Sequence, residues 1–387
     1  MAASESLPLS PIDHLFIGRG MSLVLHFPGR LAAARLAASL EEVLQAIPLL
    51  AGGLVEREDG RYGIGPLGQA VERLAVREIS SLPEELDEPL ALRELVPRLL
   101  TGLGQPVLAA QLTLSPQDSV LAVTVSHAVA DGFGLFTFMR AWSRAAAGKP
   151  FETPPTDRRL LSIEVPAPTA PLTPEDVWRR TGFTWSPRHP RRLDAPLPTG
   201  FGTRIVPPDT RALAGDEPLS DNDVLCAWLA KTHAGGLAGP QGLAVAMTVG
   251  YRQSHGGLPR NYLGNAFRAA PLWLPREVLE RESILKLAAR VQQATRSVFD
   301  GQAARDSLAC LEQLLREQGP QVVRELHLAD PRQGVLVTNI SRLPFGIIDF
   351  GQGPADWARL PAQDDRAAAI QQAEEDLEVS LLLPPAD

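Results

Sequence analysis

The chain has 387 residues, 44% of them hydrophobic and 21% charged, with a formal net charge of −8. That length favours two domains over one, and the composition excludes a chain too polar to build a core. An acidic surface repels phosphate backbones, so nucleic acid is not an expected partner.

The opening "MAASESLPLSPIDHLF" has neither the basic start nor the apolar run of a secretory signal. No stretch approaches the ~20 uninterrupted apolar residues of a membrane span. A soluble, cytoplasmic protein is the expectation. "MSLVLHF" (21–27) predicts a strand, and "RLAAARLAASLEEVLQAIP" predicts a helix stopped by Pro48. "GIGPLG" (63–68) fits a dinucleotide-binding glycine pattern, but no buried strand precedes it and no βαβ unit follows, so it reads as a turn. "PVLAAQLTLS" and "SVLAVTVSH" predict a hairpin, and "GLFTFMRAWSRAAAG" a helix closed by Gly148.

Residues 150–209 turn proline-rich, with one short helix expected near "PEDVWRRTG". The alternation then restarts. "SDNDVLCAWLAKTHAGG" predicts a helix, and Ser220 with Asp223 makes a capping-box-like start. "LAVAMTVGYR" and "NAFRAAPLWL" predict strands. "PREVLERESILKLAARVQQATRSVF" predicts one long amphipathic helix starting near Pro275. "GVLVTNIS" and "LEVSLLL" predict the last strands. The fold class is therefore α/β. Cys226 and Cys310 lie in helix-like apolar stretches and read as buried free thiols. There is no nucleophile elbow, P-loop, H-E-x-x-H or Cys/His cluster, so no permanently bound cofactor and no metal is expected.

"SHAVADGFG" (126–134) remains. His127 falls where an apolar strand should end, followed by small residues and Asp131-Gly132. Rigid structure beside open space is where an active-site side chain is placed. The plainer reading is a histidine closing the strand and an aspartate starting a turn. His14, His189, His233, His255 and His327 read as surface residues, and His26 as a core or interface residue.

Several segments together resemble one family. "HAVADG" resembles the H-x-x-x-D-G motif of BAHD-like acyltransferases and of the wider chloramphenicol acetyltransferase and condensation-domain superfamily. "DFGQG" (349–353) is similar to the D-F-G-W-G of the BAHD branch, and "VTNISRLPF" (337–345) to the Thr-Ser-Trp-Thr-Arg-Leu-Pro strand before it. "YLGNAF" (262–267), Arg252 before it, "LSPIDHLF" and "SDNDVLCAWLA" match further family segments in order. Ser126 stands where condensation domains have a first histidine, which favours the acyltransferases.

The resemblance implies two similar chloramphenicol-acetyltransferase-like domains, 1–165 and 210–387, each a mixed sheet with helices. A proline-rich crossover, 166–209, joins them, and a channel runs at their interface. His127 would be the general base, Asp131 would face away and pair with Arg252, and Gly132 would leave room for the thioester. Asp349 and Gly351 would be structural. Ile340 replaces the family's Trp and Gln352 its second aromatic, so another group must hold the oxyanion. Thr338 and Asn339 are the candidates. Strand alternation lets one face the channel, and Thr338 is the choice. Ser126, Ser220, Asn265 and Asn339 are candidates for substrate contact.

The implied reaction is transfer of an acyl group from coenzyme A to a hydroxyl or amine of a small metabolite. An alternative donor is an acyl phosphopantetheine on a carrier protein. "RHPRRL" (188–193) would be its basic docking cluster or simply a solvated one. A lesser alternative is a non-catalytic binding protein on the same fold. The family is mostly monomeric, so a monomer is expected. The acyl group and the acceptor are not legible.

Overall fold

The computed structural model describes residues 6–384, apart from 69–70, 84–88, 98, 100–101, 164, 166–169, 194–200 and 374–375. Two of those gaps, 166–169 and 194–200, fall inside the expected crossover, and that part of the expectation lies outside the described residues.

Two mixed sheets organise the chain. In the first, five strands run in the order Trp357–Arg359, Gly20–Pro28, Asp118–Ser126, Leu108–Leu114, Leu74–Glu78. Its centre is the expected hairpin: Leu114 faces Ser119, and the Ser115 hydroxyl accepts the Asp118 amide at 2.9 Å to close the turn. In the second, six strands run Phe267–Pro275, Gly242–Gly250, Gly334–Asn339, Ala367–Ala373, Asp376–Leu382, Thr203–Ile205. Gly334–Asn339 lies parallel to both of its neighbours. Helices cover each sheet. Trp142 of the helix Gly132–Ala146 is fully buried and donates from Nε1 to the Leu36 carbonyl of the helix Ala33–Ala46. The result is the expected two-sheet α/β architecture.

The halves are interlocked. Trp357–Arg359, near the C-terminus, forms the edge of the first sheet, with Trp357 opposite His26. Their rings stack 5.7 Å apart, which makes His26 a contact between distant parts of the chain. Thr203–Ile205, inside the expected crossover, forms the edge of the second sheet. Pro174–Thr181, the short helix expected there, carries a Thr173–Asp176 capping box.

Four expectations change. The predicted helix from Pro275 is two, Arg276–Arg281 and Ile284–Arg296. Glu282 is extended, the Ser283 hydroxyl caps the second helix, and Lys231 Nζ donates to the carbonyls of Leu279, Glu280 and Glu282 that end the first. A local cap thus outweighs an uninterrupted amphipathic pattern. The first part of "GIGPLG" is strand: Tyr62–Gly65 pairs with Gly53–Glu56 and Leu7–Pro8. A Cβ on Gly63 would lie 2.7 Å from the Leu7 carbonyl oxygen, so glycine permits a close strand. His14 is fully buried rather than at the surface, and its Nδ1 lies 2.8 Å from the Ser10 carbonyl. In "RHPRRL", Arg191 is not solvated: it donates to the carbonyls of Leu15, Ile17 and Leu326. Cys226 and Cys310 are buried and unpaired, and burial pushes both thiols up to about 12.

Candidate active site

The strand Asp118–Ser126 ends one residue before His127, and Asp131 caps the helix that begins at Gly132. The loop between them is only a few residues long, and both of its ends are anchored. The His127 amide donates to the Arg19 carbonyl, and the His127 carbonyl accepts Asn265 Nδ2 at 2.7 Å. The imidazole stacks on Phe16 with ring centres 4.0 Å apart, and Phe267 tilts against it at 6.1 Å. Nδ1 is buried with no hydrogen-bond partner outside its own residue. Burial pushes the imidazole pKa below its usual value. The residue's own carbonyl and the charges of Asp131 and Asp364 oppose that shift without cancelling it, and Arg19 reinforces it. The ring is therefore neutral at neutral pH.

Asp131 turns away from the histidine. Its two oxygens meet the two terminal nitrogens of Arg252, each at 2.7 Å. It also accepts the amides of Gly134 and Ala266. Burial alone would raise the carboxyl pKa, but Arg252 and these amides together hold it below the ordinary range. Arg252 donates further to the carbonyls of Tyr262 and Gly264 and lies over the Phe133 ring.

A cavity of about 260 Å³ opens beside the imidazole. His127, Asp131, Gly132 and Arg252 line it from one side, and Thr338, Asn339 and Ile340 from the strand Gly334–Asn339 and its end. Alternation sends Val335 and Val337 into the core of the second half and leaves Leu336 and Thr338 on the cavity. Thr248 donates its hydroxyl to Thr338 Oγ1 at 3.1 Å, which leaves the Thr338 hydrogen free to point elsewhere. Asn339 lines the cavity with its amide committed to Asn222 and Ser341. A Cβ on Gly132 would lie 3.3 Å from Ile340 Cγ2 and 3.4 Å from Leu343 Cδ1, so the glycine keeps this wall open.

Other candidates lie elsewhere. Ser220 spends its hydroxyl on the capping box with Asp223. Asn265 is fully buried between His127 and Asp13. Ser126 is buried opposite Gly20 and is not part of the lining. Asp349 and Gly351 are also outside it: Asp349 Oδ1 accepts the amides of Gly351 and Gly353, and the Asp349 carbonyl accepts the Ser143 hydroxyl. Phe350 packs on Trp142, so the "DFGQG" loop docks on the motif helix.

Sequence reasoning missed a second buried pair. Arg158 Nε lies 3.0 Å from Asp13 Oδ2, with side-chain exposures of 2% and 0%. Arg158 also donates to the carbonyls of Val129 and Leu263, one from the motif loop and one from "YLGNAF". Asp13 sits in "LSPIDHLF", which the resemblance already marked, but Arg158 lies in a proline-rich stretch with no periodicity to flag it.

A model described as the transferase family matches residues 2–186. Hydroxycinnamoyltransferase 2 of Oryza sativa subsp. japonica is 27% identical over 361 residues, covering 87% of this chain and 80% of its own. A hydroxycinnamoyl-CoA:5-hydroxyanthranilate N-hydroxycinnamoyltransferase of Avena sativa is 28% identical, covering 83% and 76%. The first part of the chain thus matches the transferase family, and these relatives align with most of its length. A likeness in fold to a solved structure extends over nearly the whole chain. The structure of F. graminearum TRI101 complexed with coenzyme A and T-2 mycotoxin superposes with a TM-score of 0.72 at 17% identity, covering 98% of this chain and 95% of that one. Among the described residues, no group of three or more side chains could hold a metal, and no helix is long and apolar enough to cross a membrane.

Proposed function

We propose that the protein transfers an acyl group from a coenzyme A thioester to a hydroxyl or amine of a small molecule, with His127 as general base. The observation that carries this reading is the His127 ring, stacked on Phe16 and packed against Phe267 on the wall of a cavity that both halves of the chain line, with burial lowering its pKa. The names of the family relatives supply the reaction class.

Nδ1 is the buried nitrogen, which leaves Nε2 to take the proton from the acceptor. As the acceptor oxygen or nitrogen bonds to the thioester carbonyl carbon, its proton passes to the imidazole. The carbonyl oxygen takes up the negative charge, and the Thr338 hydroxyl donates to it. The carbon–sulfur bond then breaks, and the imidazolium returns the proton to the leaving thiolate. The Asp131–Arg252 pair takes no part in proton transfer and fixes the loop that carries His127.

The test is thiol release from a panel of acyl-coenzyme A thioesters with acceptor alcohols and amines. With a competent pair, His127→Ala should lose roughly 10²–10⁴-fold in turnover. Wild-type turnover in that variant would remove the base assignment. Thioesters on carrier-protein phosphopantetheine, run beside coenzyme A, test the donor. A carrier-bound substrate far superior to the coenzyme A one would replace that part of the reading.

A further inference from the structure

The loop between the strands Trp357–Arg359 and Ala367–Ala373 passes from one sheet to the other and borders the cavity with Leu360, Gln363 and Asp364. Gln363 is 7% exposed, and its Oε1 is buried without a hydrogen-bond partner. Its amide nitrogen makes no bond among the described residues either. A buried carbonyl oxygen without a partner is costly to the protein. Its terminal torsion is soft, so it can turn oxygen or nitrogen towards a molecule in the cavity. Asp364 is next to it. One of its oxygens lies 3.3 Å from Arg19 Nη1, the other makes no ion pair among the described residues, and the side chain is 27% exposed.

We propose that Gln363 and Asp364 form a subsite that selects acyl acceptors carrying a second hydroxyl or amino group beside the one that is acylated. A carboxylate accepts and never donates, so Asp364 calls for an O–H or N–H. Gln363 is served by the same kind of group, because a hydroxyl or amine both donates and accepts. An apolar alcohol would leave the Gln363 amide and the second Asp364 oxygen without a partner.

The N–H groups of a pantetheine arm share this chemistry, and charge decides between the two sources. Arg342 is exposed, has no partner among the described residues, and lines both this cavity and a second one of about 310 Å³. Gln363 and Asp364 line the first cavity alone. A phosphate-bearing thioester is drawn to the unpartnered cation of Arg342 rather than to the Asp364 carboxylate, which already holds Arg19. That leaves Gln363 and Asp364 to the acceptor. The assignment rests on the acyltransferase reading above.

The experiment compares α,ω-diols and amino alcohols of two to six carbons with the matching mono-alcohols, at saturating acyl-coenzyme A. In the wild type the best bifunctional acceptor should exceed its mono-alcohol by at least about tenfold in kcat/KM. Gln363→Leu should reduce that ratio towards one, leave the KM for the thioester unchanged and not lower the melting temperature, since the amide gives up no partner in the protein. Equal rates for diols and mono-alcohols in the wild type would overturn the subsite. A raised thioester KM in Gln363→Leu, with the diol preference intact, would assign the amide to the pantetheine arm and overturn it too. If no thioester is turned over, the acyltransferase reading fails, and ligand-observed NMR of the diols decides the subsite separately. Diol binding lost in Gln363→Leu supports it, and equal binding in both proteins overturns it.

Discussion

Asp131 and Arg252, 121 positions apart, meet through two 2.7 Å hydrogen bonds with both side chains nearly buried. One belongs to the loop of the proposed base, the other to the segment after the strand Gly242–Gly250. Removing one partner of such a pair leaves an uncompensated buried charge. Asp131→Asn should therefore cost about 3–5 kcal/mol in urea unfolding. The acid limb of the rate profile should move far less than the unfolding midpoint. A wild-type midpoint with a displaced acid limb would mean that Asp131 acts on His127 directly.

The pH dependence follows from the lowered His127 pKa. The base form is neutral, so kcat/KM should stay level through neutrality and fall only below the ordinary histidine value of about 6.5. Stability has the same sign. The unfolded imidazole binds a proton more readily than the folded one, so this contribution is complete above about 6.5 and is lost as the pH falls towards the folded pKa. An acid limb centred above 6.5 would assign the titration to another group.

Thr338 tests the oxyanion assignment. Thr338→Val keeps the shape and removes the free hydroxyl hydrogen, so kcat should drop by roughly 10²-fold with little change in the acceptor KM. Thr338→Ser should keep most of the rate. A kcat within twofold of wild type in the valine variant would show that Thr338 is only wall.

Gly132→Ala probes cavity width. Its Cβ would come within 3.4 Å of Ile340 and Leu343 and narrow the passage beside His127. KM should rise several-fold, and adding Ile340→Ala should restore part of the loss by giving that Cβ room. If the double variant is no better than the single one, the contact with Ile340 is not the cause.

Much of this was legible because single elements carried several consistent signals. "SVLAVTV" is apolar throughout and stops at a histidine, so both the buried strand and the residue at its end could be read. Alternation along "VLVTN" separated Thr338 from the core-facing Val335 and Val337. The Asp131–Arg252 contact came through the family resemblance alone, since no local pattern joins residues so far apart. Other features had no local signal. Ala367–Ala373 contains mostly alanine and glutamine, poor strand formers by composition, and is a strand because it lies between two others. Gln363 and Asp364 matter through where a loop passes, and that is fixed by the sheets on either side. His14 looked polar and exposed, but its burial comes from packing against a strand some 50 residues later, where the Tyr62 amide approaches Nε2 at 3.4 Å.

The edge strand Trp357–Arg359 has a consequence for biosynthesis. A ribosome delivers Gly20–Pro28 before the other strands of its sheet, yet that strand's second neighbour emerges only after Gly334–Asn339 of the second sheet. The cavity wall supplied by Leu360, Gln363 and Asp364 arrives at the same moment. A nascent chain must therefore keep one flank of its first sheet unpaired until residue 357 has emerged, an open edge on which misassociation can start. Premature termination before residue 357 would leave His127 and Asp131 present but the chamber around them unfinished. Truncated products should be cleared as unfolded material rather than persist as weak enzymes.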